Sequence, residues 1–348
     1  MNTLIASRSA ACILTLVGLA WNQEAVAEHY FADRPEVRAF AHAVAERNHL
    51  REDRILRLMK QAVPQPSILR AIAPAADPQR RSWVDYRALF VNSTRINGGI
   101  DFWERHGAAL ARARAEFGVP EEIIISIIGI ETQYGRNEGN YRVLDALATL
   151  AFDYPPRADY FRDELEQFLL LSRELGIDPL SIKGSYAGAI GIPQFMPGSM
   201  RQFALDYDGD GRVDLAGNAI DAIGSVGNFL SRHVWSRDLA LTWPASVTGD
   251  AAQSLIDAGV KPQFHIQELA AQGITPTVGV AGSVGGPPER AVFALIELPS
   301  RETPTEYRLV SENFYVVTRY NRSSFYAAAA ADLASELRFR HDNPPAPQ

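Results

Sequence analysis

Apolar positions in this chain recur mostly at helical spacing. In residues 35–63, Val37, Phe40, Ala41 and Val44 form one stripe and Ile55, Leu56 and Met59 another, and Pro64 and Pro66 end the pattern. Residues 82–90 and 92–116 continue it, with Phe102, Trp103, Leu110 and Ala113 on the apolar side. The densest run is residues 119–136, VPEEIIISIIGIETQYGR. Pro120 suits a first helical position, and Glu121 and Glu122 suit the positive end of the helix dipole. Ile123, Ile124, Ile125, Ile127, Ile128 and Ile130 make this helix apolar nearly all round, which predicts burial.

Further on, residues 140–152 read as a short helix, followed by the turn Tyr154-Pro155-Pro156. Residues 158–175 form a strongly amphipathic helix, with Phe161, Leu165, Phe168 and Leu169 on one face and Gly176 as its stop. After Trp235 the composition shifts. Residues 239–287 are rich in Thr, Val, Gly and Ala, with weak helical signals. Residues 291–298, 306–310 and 314–319 read as strands, residues 323–338 return to helix, and the chain frays from Pro344.

The long apolar helix ends on Glu131. Ile128, Ile127 and Ile124 precede it by three, four and seven residues, so the carboxylate shares a face with isoleucines. Apolar surroundings favour the protonated form, and a carboxyl that holds its proton near neutral pH is what general acid catalysis requires. On the helix alone two readings stand side by side: a catalytic acid, or a structural ion pair with a cation such as Arg136.

The 348 residues suffice for about two domains, and 47% hydrophobic with 22% charged residues is a globular composition. The formal net charge of -7, with no basic block, argues against a nucleic-acid partner. The first residues read as an export signal: Arg8, an apolar run over residues 10–20 too short to span a membrane comfortably, and a small-x-small pattern at Ala25-Val26-Ala27. An uncleaved anchor is the alternative. Lipidation at Cys12 is poorly supported by the residues before it. Cys12 is the only cysteine, so a chain cleaved after Ala27 has no disulfide and no thiolate site. His42, His49 and His106 lack partners at metal-ligand spacing. Neither GxSxG, GxGxxG nor a P-loop lysine motif is present.

Two further stretches carry chemistry. Residues 206–214, DYDGDGRVD, match the opening of an EF-hand loop, with alternating Asp206, Asp208 and Asp210 and a turn at Gly211. Arg212 falls where such loops lend a backbone carbonyl. Gly217 stands where the closing Glu belongs, and Asp221 is the candidate to close a longer loop. A metal-free acidic turn is the alternative. Residues 183–199, KGSYAGAIGIPQFMPGS, set Ser185 and Gln194 among small and apolar neighbours, with Tyr186, Phe195 and Met196 offering flat or soft surfaces. That mix suits a sugar site or, equally, a tight helix–loop contact.

GIETQYGR around Glu131, SYAGAIGIPQFMPGS, the Asp-rich loop followed by DAIGSV, and FYVVTRYNRSSFY together resemble the lytic murein transglycosylase B family, over residues 28–337. The resemblance implies a mainly α (α+β) fold: a signal peptide over 1–27, a helical domain over 28–115, and a lysozyme-like core with a calcium loop over 116–236. A small β-containing module over 237–312 and a return segment with a C-terminal helix over 313–348 complete it. It implies cleavage of the β-1,4 bond between N-acetylmuramic acid and N-acetylglucosamine in peptidoglycan, without water, leaving 1,6-anhydro ends. By position, Glu131 matches the catalytic acid/base and Ser185 a residue contacting that carboxylate. Gln194, Tyr86, Tyr320, Asn321 and Tyr326 match the lining of the glycan cleft, with Tyr186 beside them. Arg157 matches one of two cleft arginines; Pro156 stands at the other position, and Phe229 replaces a common tyrosine. Asp206, Asp208, Asp210, Arg212 and Asp221 are the expected ligands of a structural Ca2+, with no organic cofactor. The implied setting is the periplasm, as a monomer acting on glycan strands, with membership of a cell-wall complex open.

Two other readings remain. A water-using muramidase needs a second carboxylate facing Glu131, and Asp153 is the nearest candidate by sequence. A non-catalytic peptidoglycan-binding protein needs none.

Overall fold

The computed structural model describes residues 30–73, 82–277 and 285–344. The expected export signal, with Cys12 and its cleavage pattern, lies outside the described residues. The first helices are α1 (Pro35–Asn48), α2 (Glu52–Gln61), α3 (Pro66–Ile72), α4 (Trp83–Phe90) and α5 (Ser93–Phe117). Asn92 caps α5 by accepting from the Arg95 N–H, and Gly118 ends it at φ +73°. Next comes α6 (Glu121–Thr132), the isoleucine helix. All six isoleucines are buried, as their all-round pattern requires. Around α6 pack α5, α10 (Ala219–Arg232) and α14 (Ser324–Asp342), which makes it the axis of the helical core.

Beyond α6, β1 (Tyr141–Arg142) pairs antiparallel with β2 (Lys183–Gly184), Tyr141 opposite Gly184. This short ribbon draws residues 183–199 back against α7 (Val143–Asp153) and the end of α6. A 3-10 turn (Pro155–Arg157) leads into α8 (Ala158–Glu174), whose apolar face is buried as its spacing predicts. Then α9 (Pro197–Phe203) and α10 flank the acidic loop.

After α10 the chain builds a five-stranded antiparallel sheet in the order β4-β6-β7-β3-β5, from β3 (Thr242–Val247), β4 (Phe264–His265), β5 (Ile274–Pro276), β6 (Val292–Leu298) and β7 (Glu306–Val310). Two short helices, α11 (Ala252–Asp257) and α12 (Ile266–Ala271), lie within it. Side chains alternate across β6. Phe293 and Leu295 enter a small separate core with Trp243, Leu255 and Leu309, while Ala294, Ile296 and Leu298 join the main core. An ionic joint ties the sheet to the helices. Asp332 of α14 accepts from Arg308 of β7 and from Arg87 of α4, each at 2.6 Å.

Two expectations fail here. Residues 314–319 form a helix, α13 (Glu312–Tyr320), not a strand. The β-branched and aromatic residues of FYVVTR favour strands, but tertiary contacts override that preference. Fully buried Asn313 donates to the carbonyls of Ser236 (2.7 Å) and Leu239 (2.6 Å) and accepts from the Ser236 N–H (2.7 Å), which fixes the first turn as helix. The strand β3 was not visible in the sequence, because Pro244 sits in a strand paired on both sides, where proline is unusual. Removing the Asn313 amide takes this partner from two carbonyls and one N–H that are partly buried. Asn313→Ala is expected to lower unfolding free energy by about 2–4 kcal/mol in denaturant titration. A change under about 0.5 kcal/mol would contradict this anchoring role.

Candidate active site

Glu131 lies on the last turn of α6, after the buried isoleucines, and faces Tyr326 of α14 and Tyr320 of α13. The residue keeps some exposure, while its carboxyl is packed closely on the protein side. Among the described residues its carboxyl has one hydrogen-bond partner, the Tyr326 hydroxyl, which donates to Oε1 at 2.6 Å. Tyr326 sits in the first turn of α14, whose N-cap Ser323 accepts from the Tyr326 N–H at 3.3 Å. Burial pushes the Glu131 carboxyl up to about 7, and the Tyr326 bond pulls it down by less. Burial and the Glu131 charge raise Tyr326 and Tyr320 well above the usual phenol range, so both stay protonated donors.

The cleft residues expected from the sequence fall into groups. Tyr320 donates to Pro193 O at 2.5 Å, and its ring rests on Phe195 and Phe229, with centroids 5.8 and 4.9 Å away. Gln194, at φ +52°, donates through Nε2 to Glu138 O (3.1 Å) and Gly191 O (2.9 Å), fixing the loop that carries it. Tyr86 packs edge-on against Phe325 at 5.4 Å and acts electrostatically on Tyr326. Asn321 ends α13, and Tyr186 is exposed. Arg157 lies over the Tyr160 ring at 4.4 Å.

Other expectations are corrected. The Ser185 hydroxyl accepts from the Ala189 N–H at 3.1 Å and makes no hydrogen bond to Glu131. Phe195 is buried behind Tyr320 rather than open as a stacking face. Arg136 does not pair with Glu131. Asp153 is held by Arg34 at 2.6 Å, with Tyr30 at 3.4 Å, and no carboxylate among the described residues perturbs Glu131.

Three features were missed by sequence reading. Glu138 is pushed up to about 7 by burial and by the nearby charge of Asp214. It lies in a loop without periodicity, and no local signal pairs it with a residue so far along the chain. Thr132 donates to Ile192 O at 2.8 Å and accepts from the Gly135 N–H at 3.0 Å, so the residue after Glu131 is bound to the opposite loop. Tyr134 folds back beneath α6. Its place in GIETQYGR was a signal that sequence reading did not use.

In the acidic loop, Asp206, Asp208 and Asp210 bring carboxylate oxygens within 4.8 Å of one another. Ligands about 2.3–2.6 Å from one cation lie at most about 5 Å apart, so the three fit a shared Ca2+. The Arg212 N–H donates to Asp210 Oδ1 at 2.8 Å, and its side chain is exposed. Asp221, expected as a ligand, is not in the cluster. It is fully buried, and its oxygens accept from the N–H groups of Tyr207 (2.7 Å), Asp208 (3.4 Å) and Asp214 (2.9 Å). It shapes the loop from inside: it stands four residues past Gly217, the usual closing position, in the first turn of α10. The loop also reaches the segment that carries Gln194, where the Ile192 N–H donates to Leu215 O at 2.7 Å.

A buried helix ending in an acid, within a mostly helical core, is a lysozyme-like arrangement. Residues 32–335 match the transglycosylase SLT domain family; the chain belongs to it and is a lytic transglycosylase. It is 37% identical over 316 residues to membrane-bound lytic murein transglycosylase B of Escherichia coli (strain K12), covering 88% of this chain and 84% of that protein. The soluble lytic transglycosylase SltB1 of Pseudomonas aeruginosa superposes with a TM-score of 0.79 at 43% identity, over 88% of this chain and 99% of that one. The Escherichia coli lytic transglycosylase Slt35 in complex with calcium superposes at 0.78 with 35% identity, over 93% of this chain and 100% of that one.

The Glu131 proton has a consequence for stability. Its folded value of about 7 lies above the ordinary 4.5. The favourable contribution is therefore complete below about pH 4.5 and lost as pH rises through 7. Glu131→Gln cannot ionise. It is expected to exceed the parent in stability by up to about 3 kcal/mol at pH 8, with the gap closing near pH 4.5, in denaturant titrations at both values. A gap independent of pH would contradict the raised value.

Proposed function

We propose that the chain is a peptidoglycan lytic transglycosylase in which Glu131 alone serves as acid and then base. The observation that carries this reading is a buried carboxyl bonded to one tyrosine and raised to about 7, with no second carboxylate among the described residues acting on it. A hydrolase of the usual kind needs two carboxyl groups across the scissile bond. One is enough when the substrate supplies its own nucleophile.

Protonated Glu131 gives its proton to the glycosidic oxygen between N-acetylmuramic acid and N-acetylglucosamine. The C1–O4 bond breaks, and the muramic acetamide stabilises the positive centre. The Tyr326 hydroxyl then holds the carboxylate formed at Glu131. That carboxylate takes the proton from the same sugar's C6 hydroxyl as O6 closes on C1. Glu131 is protonated again, water is not consumed, and a 1,6-anhydro end remains. Tyr86, Tyr186, Tyr320, Gln194, Asn321, Ser185 and Arg157 bind the strand along the groove.

Asp206, Asp208 and Asp210 would hold a Ca2+ that fixes the loop behind the segment that carries Gln194, as the mutual spacing of their oxygens supports. A related enzyme in complex with calcium supports the same reading. Arg212 would contribute its backbone, and Asp221 would support from within. Export by the N-terminal signal would bring the enzyme to the periplasm; among the described residues no helix is long and apolar enough to cross a membrane.

Digestion of purified sacculi, with products weighed by mass spectrometry, tests the function. The parent should release anhydro muropeptides, and Glu131→Gln should lose at least about a thousandfold in rate while remaining folded. Products with reducing ends would mean a water-using muramidase, and tight binding with no release a binding protein. Calcium should raise the melting temperature, and Asp208→Asn should blunt that rise. No shift with metal would remove the calcium assignment.

A further inference from the structure

The helix bearing Glu131 ends in an unusual way. Gln133 (φ +51°), Tyr134 (φ +64°) and Gly135 (φ +85°) form three successive left-handed residues, two of them with side chains that resist this conformation. The turn closes with Gln133 N–H to Gly129 O at 3.2 Å and Tyr134 N–H to Ile128 O at 3.4 Å. Such a turn persists only where surrounding contacts over-determine it.

Those contacts come from the Tyr134 side chain. Its ring lies in a slot formed by three glycines, two on α5 and one on α6. A Cβ at Gly98 would fall 3.0 Å from the ring, one at Gly99 would fall 2.6 Å from the hydroxyl, and one at Gly129 would fall 2.5 Å from it. Phe102 covers the ring at 5.6 Å. The hydroxyl donates to Arg95 O at 2.7 Å. Arg95 returns the connection, its Nε donating to Gly129 O at 3.1 Å and its other nitrogen to Leu89 O at 2.6 Å. Tyr134, Arg95 and Gly129 thus bind the start of α5 to the end of α6, two residues before Glu131. On the far side of Glu131, Thr132 binds Ile192.

We infer that Tyr134 is a positioning residue for Glu131: seated among Gly98, Gly99 and Gly129, it fixes the end of α6 so that the carboxyl meets the Tyr326 hydroxyl. This inference rests on the reading of Glu131 as the acid and base. Tyr134 itself touches neither substrate nor the reacting atoms. It acts through the backbone, and its effect belongs to kcat rather than to KM.

Tyr134→Phe keeps the ring and removes the bond to Arg95. In sacculus digestion well below the melting temperature, kcat per folded molecule should fall about tenfold, with KM within about twofold. Gly98→Ala, which presses on the ring edge without deleting anything, should lower kcat in the same sense and keeps the test open if Tyr134→Phe folds poorly. A double-mutant cycle separates positioning from bulk stability. In a Tyr326→Phe background, Tyr134→Phe should change kcat by less than about twofold, because the contact it serves is already gone. Independent, multiplicative losses would overturn the inference, as would an unchanged kcat with only a lower melting temperature. Glu131→Gln assayed in parallel keeps the two failures apart. Activity in that variant defeats the acid/base reading, whereas an inert Glu131→Gln beside a normal Tyr134→Phe defeats this inference alone.

Discussion

The proposed chemistry of this molecule depends on a single hydrogen bond, from Tyr326 to a carboxyl that burial would rather keep neutral. Loss of water around Glu131 favours the proton; the 2.6 Å bond favours its release. Burial prevails and the bond only moderates it, which leaves a group at about 7 that can both give and take a proton at neutral pH. A cation at the same distance would destroy that balance by holding the carboxyl ionised, and Arg136 stays away from it. A second carboxylate would tilt it the other way, and Asp153 is occupied by Arg34 instead. A tyrosine, neutral and itself raised well above its usual range, is a suitable partner because it contributes a donor without a charge.

The fold serves that contact by bringing together residues 195 positions apart. The isoleucine helix is buried on every side, which dries Glu131 and gives it a rigid mount. The last long helix returns across it, and its first turn delivers Tyr326. Asp332, in the same helix, is gripped by Arg87 and Arg308, so the small sheet braces the element that carries the donor. On the opposite side, residues 190–195 meet Thr132 and Leu215 of the acidic loop at Ile192, and Tyr320 at Pro193. Gly191, at φ +70°, permits the last approach, because a Cβ there would strike the Leu215 carbonyl. A cation held by Asp206, Asp208 and Asp210 would stiffen this side from behind while remaining outside the chemistry.

Much of this was legible in the chain. The six isoleucines announced a buried helix, and their phase put Glu131 on an apolar face; both follow from spacing alone. The alternating aspartates announced a loop able to wrap a hard cation, and the structure brings their oxygens close enough to share one. What stayed hidden depended on distant partners. The helix over FYVVTR is decided by Asn313 reaching carbonyls more than seventy residues away, against the local preference. The strand holding Pro244 is recognisable only once its neighbours are known. Asp221 falls at a ligand-like position in sequence, yet its oxygens turn onto backbone N–H groups inside the loop. The carboxylate of Glu138 acquires its raised pKa from burial and then from Asp214, an environment that no local pattern encodes.

Direct titration of the Glu131 carboxyl tests the central claim most sharply. Carbon-13 NMR of protein labelled at glutamate side-chain carboxyls, with Glu131→Gln used to assign the resonance, follows that one group through pH. A midpoint near 7, moving upward when Tyr326 is replaced by phenylalanine, is the predicted result. A midpoint near the ordinary 4.5, unmoved by that replacement, would contradict the account.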